Sequence, residues 1–204
     1  MEKASHFDEV FNRSIGDYQQ KADILLPCSP PFTGGELDAL LYRKNWIDNV
    51  QWDLEDLIRD PEIDPSKALD LKRRIDRSNQ ERTDMVEQID DVFESRFREI
   101  SPKPGARLNT ESIAWALDRL SILLLKRYHM QRQLSRTDTD QAHRERCSRK
   151  LEVLHQQRTD LLRAIDELLE DVASGARLVK VYRQMKMYND PTLNPVLQAS
   201  KKQP

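Results

Sequence analysis

Residues 80–94 (QERTDMVEQIDDVFE) recur without a gap at residues 156–170 (QQRTDLLRAIDELLE), and this self-similarity constrains the fold more than any other feature. Seven of the fifteen positions are identical: Gln80/Gln156, Arg82/Arg158, Thr83/Thr159, Asp84/Asp160, Ile89/Ile165, Asp90/Asp166 and Glu94/Glu170. Chance at typical residue frequencies gives about one. The same shift of 76 carries Leu41 onto Leu117, Arg43 onto Arg119, Trp52 onto Tyr128 and Leu54 onto Met130. It also carries the turn at Asp64 onto the turn at Asp140. The chain therefore reads as a duplicated unit, each copy a hairpin of two long antiparallel helices.

Breakers set the boundaries. A first helix runs to about Lys21 with Ser5 as its cap, followed by the Pro-rich stretch LLPCSPPFTGG, which cannot continue a helix. Residues 1–35 are thus an N-terminal helix and loop. Copy one spans 36–99 and turns at DPEIDP, where Asp64 caps a helix with Pro65 at its first position. SPKPG separates it from copy two, 110–174, whose first helix is capped by Thr110 or Asn109. The spacing predicts a shorter helix over 177–188, closing a domain of 36–190, and a tail over 191–204.

The second helix of each copy carries a heptad stripe. Copy one reads Leu71, Ile75, Ser78, Arg82, Met85, Ile89, Val92; copy two reads Cys147, Leu151, Leu154, Arg158, Leu161, Ile165, Leu168. Alternating steps of four and three keep one seam facing a partner, as in left-handed bundles. The expected fold is all-α: two hairpins packed about a pseudo-twofold axis as a four-helix bundle, with additional terminal helices.

Composition agrees and narrows the function classes. Charged residues make up 33% and aromatics 6%, with five glycines, which favours long helices over a sheet. Acids and bases interleave to a net charge of −2, so no segregated basic face is available for nucleic acid or an anionic membrane. The N-terminus lacks an apolar signal region, and the longest strongly apolar run, Ile122–Leu125, is too short to span a bilayer. No membrane insertion and a cytoplasmic location are the expectations. Cys28 and Cys147 do not form a disulfide framework.

Arg82 and Arg158 stand inside the apolar stripes, where an unpaired charge is heavily penalised. By hairpin arithmetic Arg158 lies level with Asp118, and Arg82 level with Tyr42. Height does not decide facing, so Asp118 pairs with Arg158, with Arg82 of the other copy, or with neither. Gln80 and Asp84, like Gln156 and Asp160, sit at i,i+4 and can bond along the helix surface. With Arg43, Arg119, His129 and His155 they outline a candidate polar layer. That layer is a pocket for an anion or sugar-phosphate, since Arg presents a planar fork, or else an ion-pair layer that sets register.

No metal or cofactor is expected. Glu152-x-x-His155 has the spacing of di-iron bundle sites, but its counterpart, Asp76-x-x-Asn79, lacks the second histidine. Trp46, Trp52 and Trp115 are expected as packing anchors. P-loop, Rossmann, CxxC, HExxH and GxSxG motifs are all absent.

WDLEDLIRDP, IDRSNQERTDMVEQID and NTESIAWALDRLSILLLKRYHM resemble a bacterial family of helical proteins catalogued as a domain of unknown function. The resemblance covers most of 36–190. It implies an all-helical fold without an established activity, and genes often near glycosyltransferases of lipopolysaccharide or capsule assembly. The family pattern places a histidine after the first tryptophan, mirroring Tyr128-His129, whereas this chain has Asp53. The resemblance points to an adaptor or accessory factor of envelope-polysaccharide biosynthesis. Its expected partners are a glycosyltransferase or envelope-assembly protein and, through exposed heptad faces, a second copy of the chain. The alternative is a protein or enzyme that binds a sugar-phosphate or nucleotide-sugar through the Arg/Asp layer.

Overall fold

A computed structural model describes residues 2–33, 36–185 and 192–200. Its helices are α1 (Ala4–Gln19), α2 (Glu36–Leu57), α3 (Pro65–Phe97), α4 (Ile113–Leu134), α5 (Gln141–Ala173) and a short α6 (Pro195–Ser200) within the expected tail. The hairpins are α2–α3 and α4–α5. Asp64 caps α3 by accepting from the amides of Ser66 and Lys67, ahead of Pro65, and Asp140 caps α5 by accepting from His143.

The hairpins meet through α3 on α4 and α2 on α4, while α1 packs on α2, α4 and α5. Helix α4 thus touches all four other long helices, which explains why it is apolar on more than one side. Helix α1 delivers Phe7, Phe11, Ile15 and Tyr18 to the common core. At about 1.5–3 kcal/mol per fully buried large apolar side chain, it contributes substantially to stability. Tyr18 meets Trp46 edge-on at 5.2 Å, and Trp46 stacks on Tyr42.

Three boundary expectations are corrected. Ser5 does not cap α1; the cap position is Lys3, with no side-chain bond of its own, and Asp166 of α5 accepts from the Ala4 amide at 2.7 Å instead. The α4 cap is Ser112, not Thr110 or Asn109, because Ser112 accepts from Trp115 and is itself held by Asp90. Where a helix was expected over 177–188, the described part runs extended. Arg177–Leu178 (β2) pairs in parallel with Arg107–Leu108 (β1), and Arg183 then bonds to the Glu87 carbonyl on α3. Residues 186–188 lie outside the described residues.

Gly175 is what turns the chain there. Its φ is +73°, and a Cβ would stand 2.6 Å from the Ser101 carbonyl oxygen. Gly105 has a similar φ, +82°, but open space around it. Gly105→Ala should therefore cost only the left-handed penalty, about 1–2 kcal/mol, while Gly175→Ala should cost clearly more. Thermal unfolding checks the order, since each kcal/mol shifts Tm by roughly 2–4 °C at this size.

Candidate functional site

The two stripe arginines do the same job on different helices. Arg82 of α3 grips Asp118 of α4 with both arms of its fork, Nε to Oδ1 at 3.0 Å and Nη2 to Oδ2 at 2.6 Å. Arg158 of α5 grips Asp8 of α1 likewise, at 2.6 and 2.7 Å. Two turns further along, the repeat's aspartates act as caps. Asp90 accepts from Ser112 and the Ala114 amide at the start of α4, and Asp166 accepts from Ala4 at the start of α1. Helix α5 thus holds α1 as α3 holds α4. Each gripped aspartate stands four residues beyond the amide that its helix's cap receives, Asp8 after Ala4 and Asp118 after Ala114.

These contacts account for most of the sequence repeat. Ile89 and Ile165 are both fully packed. Thr83 and Thr159 donate to the carbonyls of Asn79 and His155. Of the three open pairings for Asp118, the structure selects Arg82. Arg158 turns to α1 instead, a helix that hairpin arithmetic does not include.

Behind the Arg82–Asp118 pair lies a buried charged cluster that sequence reasoning missed. Lys44 Nζ sits 2.5 Å from Asp48 Oδ2 and 2.7 Å from Asp118 Oδ1, and Arg82 Nε lies 3.3 Å from Asp48 Oδ1. Ser121 donates to Asp48 at 2.5 Å, and Asn45 donates to Ser121 at 2.9 Å. Asn45 and Ser121 are themselves related by the shift of 76. Two cations and two carboxylates balance. Burial pushes the Asp48 carboxyl above its usual range despite Lys44. Burial also acts on Asp118, but Lys44 and Arg82 outweigh it and hold that carboxyl low. A signal was present: Leu37, Leu41, Lys44 and Asp48 step four, three, four, placing Lys44 and Asp48 on an apolar seam rather than on a solvated face.

The remaining candidates do not join this layer. Gln80 bonds Asp84 and Gln156 bonds Asp160 along exposed helix surface. Arg119 pairs with Glu111, and Arg43 is exposed. Glu152 and His155 are both exposed, and no group of three or more metal-ligating side chains occurs among the described residues.

His129 stacks on Trp52 at 4.2 Å and 7° between planes, and its buried Nε2 has no hydrogen-bond partner. Burial lowers its pKa, against the pull of Asp53 and Asp56. The folded pKa lies below the unfolded value, so the stability it confers is present above about pH 6.5 and is lost as pH falls through the folded pKa. His129→Gln should flatten that acid-side loss between about pH 7.5 and 5 in urea titrations; an unchanged slope would assign the loss to other groups.

Helix α4 leaves one long face open. A groove of 630 Å³ is lined by Arg82, Asp118 and Arg119 at one end, with Ile122 and Leu161. It continues into a 780 Å³ groove beside Trp52 and His129, the two sharing Lys126, Leu154 and Gln157. Arg158 lies outside both. The Arg/Asp layer therefore touches solvent at its Arg82 edge, while Lys44 and Asp48 behind it are sealed, each at most 2% exposed.

A family model described as "Protein of unknown function (DUF4254)" matches residues 38–181. No curated protein and no solved structure matches the chain.

Proposed function

The chain belongs to the DUF4254 family, whose description carries no activity, and from that premise we propose that it is a helical binding protein, an accessory factor of envelope-polysaccharide biosynthesis. One observation carries the binding reading over catalysis. Every candidate guanidinium in the apolar stripes is already spent on a carboxylate, in a two-armed grip that leaves no fork for a substrate phosphate. Asp90 and Asp166 of the repeat are spent as well, on helix starts. What stays open is a groove with an apolar floor. No helix among the described residues is long and apolar enough to cross a membrane. The pathway itself rests only on what the family resemblance implies. Affinity purification of the tagged chain from its native bacterium should recover a glycosyltransferase or envelope-assembly enzyme; recovering neither would sink the pathway assignment.

The second reading, a sugar-phosphate or nucleotide-sugar at Arg82, Asp118 and Arg119, is favoured by the groove that these three line. It requires Arg82 to exchange Asp118 for the ligand. Calorimetry with UDP-glucose decides it: heat that disappears in Arg119→Glu supports this reading, and no heat removes it.

A further inference from the structure

The two hairpins carry corresponding grooves, and among the described residues the chain itself covers only one of them. On α2 and α3, a 290 Å³ pocket is lined by eight helix residues. Trp46, Ile47, Val50 and Leu54 come from α2; shifted by 76 they are Ile122, Leu123, Lys126 and Met130, all lining the open groove on α4. Arg74, Arg77, Ser78 and Glu81 come from α3; shifted likewise they are Lys150, Val153, Leu154 and Gln157 on α5, again all in the open groove. All eight correspond.

The copy-one groove is narrower because the chain itself occupies it. Ile24, just before the Pro-rich stretch, and Leu26 and Cys28 within it line the groove, and Leu26 and Cys28 pack against the core. Arg74 donates to the Ile24 carbonyl at 3.2 Å. A hydrogen-bonded turn, Leu26 N–H donating to the Asp23 carbonyl at 3.0 Å, places Ile24; beyond it burial alternates to Phe32 and the prolines keep the chain out of a helix, so residues 26–32 lie along the hairpin with alternate side chains facing it. In copy two nothing among the described residues fills that place. Val153, which lines it with Trp52, Met130 and Leu154, is 57% exposed. The rim differs in charge: Lys126, Arg146, Arg149 and Lys150 face it, against one carboxylate, Asp56.

We propose that the α4–α5 groove is a docking site for an extended segment of a partner protein, with alternating aliphatic residues, proline and flanking acids. The chain's own residues 22–33 are the template for that ligand, and Lys150 stands where Arg74 meets the backbone carbonyl. The acids answer the basic rim, so binding weakens with salt. This deepens the accessory-factor reading by naming the surface and the partner's chemistry.

The test uses the full chain and a fluorescein-labelled peptide of residues 22–33 carrying Cys28→Ser and two added N-terminal glutamates. Fluorescence anisotropy should show saturable binding that weakens at least about tenfold (1.4 kcal/mol) in Val153→Glu, with helicity unchanged. Arg77→Glu, the matching position on copy one, should bind as the parent does. Absence of saturable binding overturns the proposal. So does loss in Arg77→Glu with Val153→Glu unaffected, which would mean that the peptide merely exchanges with the internal segment. A concentration-dependent dimer of the chain alone that Val153→Glu abolishes would make a second copy the occupant and overturn it equally. Because the purified chain is used, failure here leaves the pathway assignment standing. Failure of the affinity purification with the groove result intact changes only which protein carries the segment.

Discussion

Lys44→Met is expected to remove about 3–5 kcal/mol of stability, the range for breaking a buried ion pair by deleting one partner. Lys44 is 1% exposed, and its ammonium lies within 2.7 Å of both Asp48 and Asp118. Without it, two buried carboxylates share Arg82 alone. Both are then pushed toward protonation, because desolvation already favours the neutral acid of each. A carboxylate whose folded pKa is raised regains stability as pH falls through that value. The deficit of Lys44→Met in urea unfolding should therefore shrink as pH is lowered from about 8 toward 5. Lys44→Met/Asp48→Leu, which leaves the Arg82–Asp118 pair intact, should recover most of the loss. If Lys44→Met costs less than about 1 kcal/mol, the level of an exposed pair, the cluster is not the sealed element described above.

The second large effect is at Arg158. Arg158→Met leaves Asp8, 4% exposed, without its two-armed partner. The cost should fall toward the lower end of about 3–5 kcal/mol, since the arginine side chain is itself 32% exposed. The loss should be local before it is global. Helix α1 should loosen from α5, exposing Phe7 and Phe11, and limited proteolysis should cut between α1 and α2 well before the remaining helices. Asp8→Asn/Arg158→Met should be milder than Arg158→Met alone. Equal protease resistance of parent and variant would show that apolar packing alone holds α1.

Much of the architecture was legible because its signals are local. Asp64-Pro65 and Asp140 announce helix starts within a few residues, and the breaker SPKPG separates the two hairpins. What stayed hidden depends on contacts between distant segments. The partner of Arg158 lies 150 residues away, so matching heights within a hairpin pointed to Asp118 instead. The cap of α1 comes from Asp166, 162 residues away, which is why Ser5 looked like the natural candidate. Lys44 and Asp48, four apart, resemble an exposed surface pair until their place on the Leu37–Leu41 seam is counted. The extended run after Gly175 was misread as helix because its register is set by pairing with Arg107 and Leu108, which composition does not encode.

The grip of α5 on α1 also has a consequence during synthesis. Helix α1 is held by Arg158 and Asp166 of α5, which follow Asp8 and Ala4 by 150 and 162 residues. At about 5–20 residues per second, Arg158 is made roughly 8–30 s after Asp8. Throughout that interval the face bearing Phe7, Phe11, Ile15 and Tyr18 lacks part of its final cover. Helix α1 therefore completes its packing only after α5 has followed it.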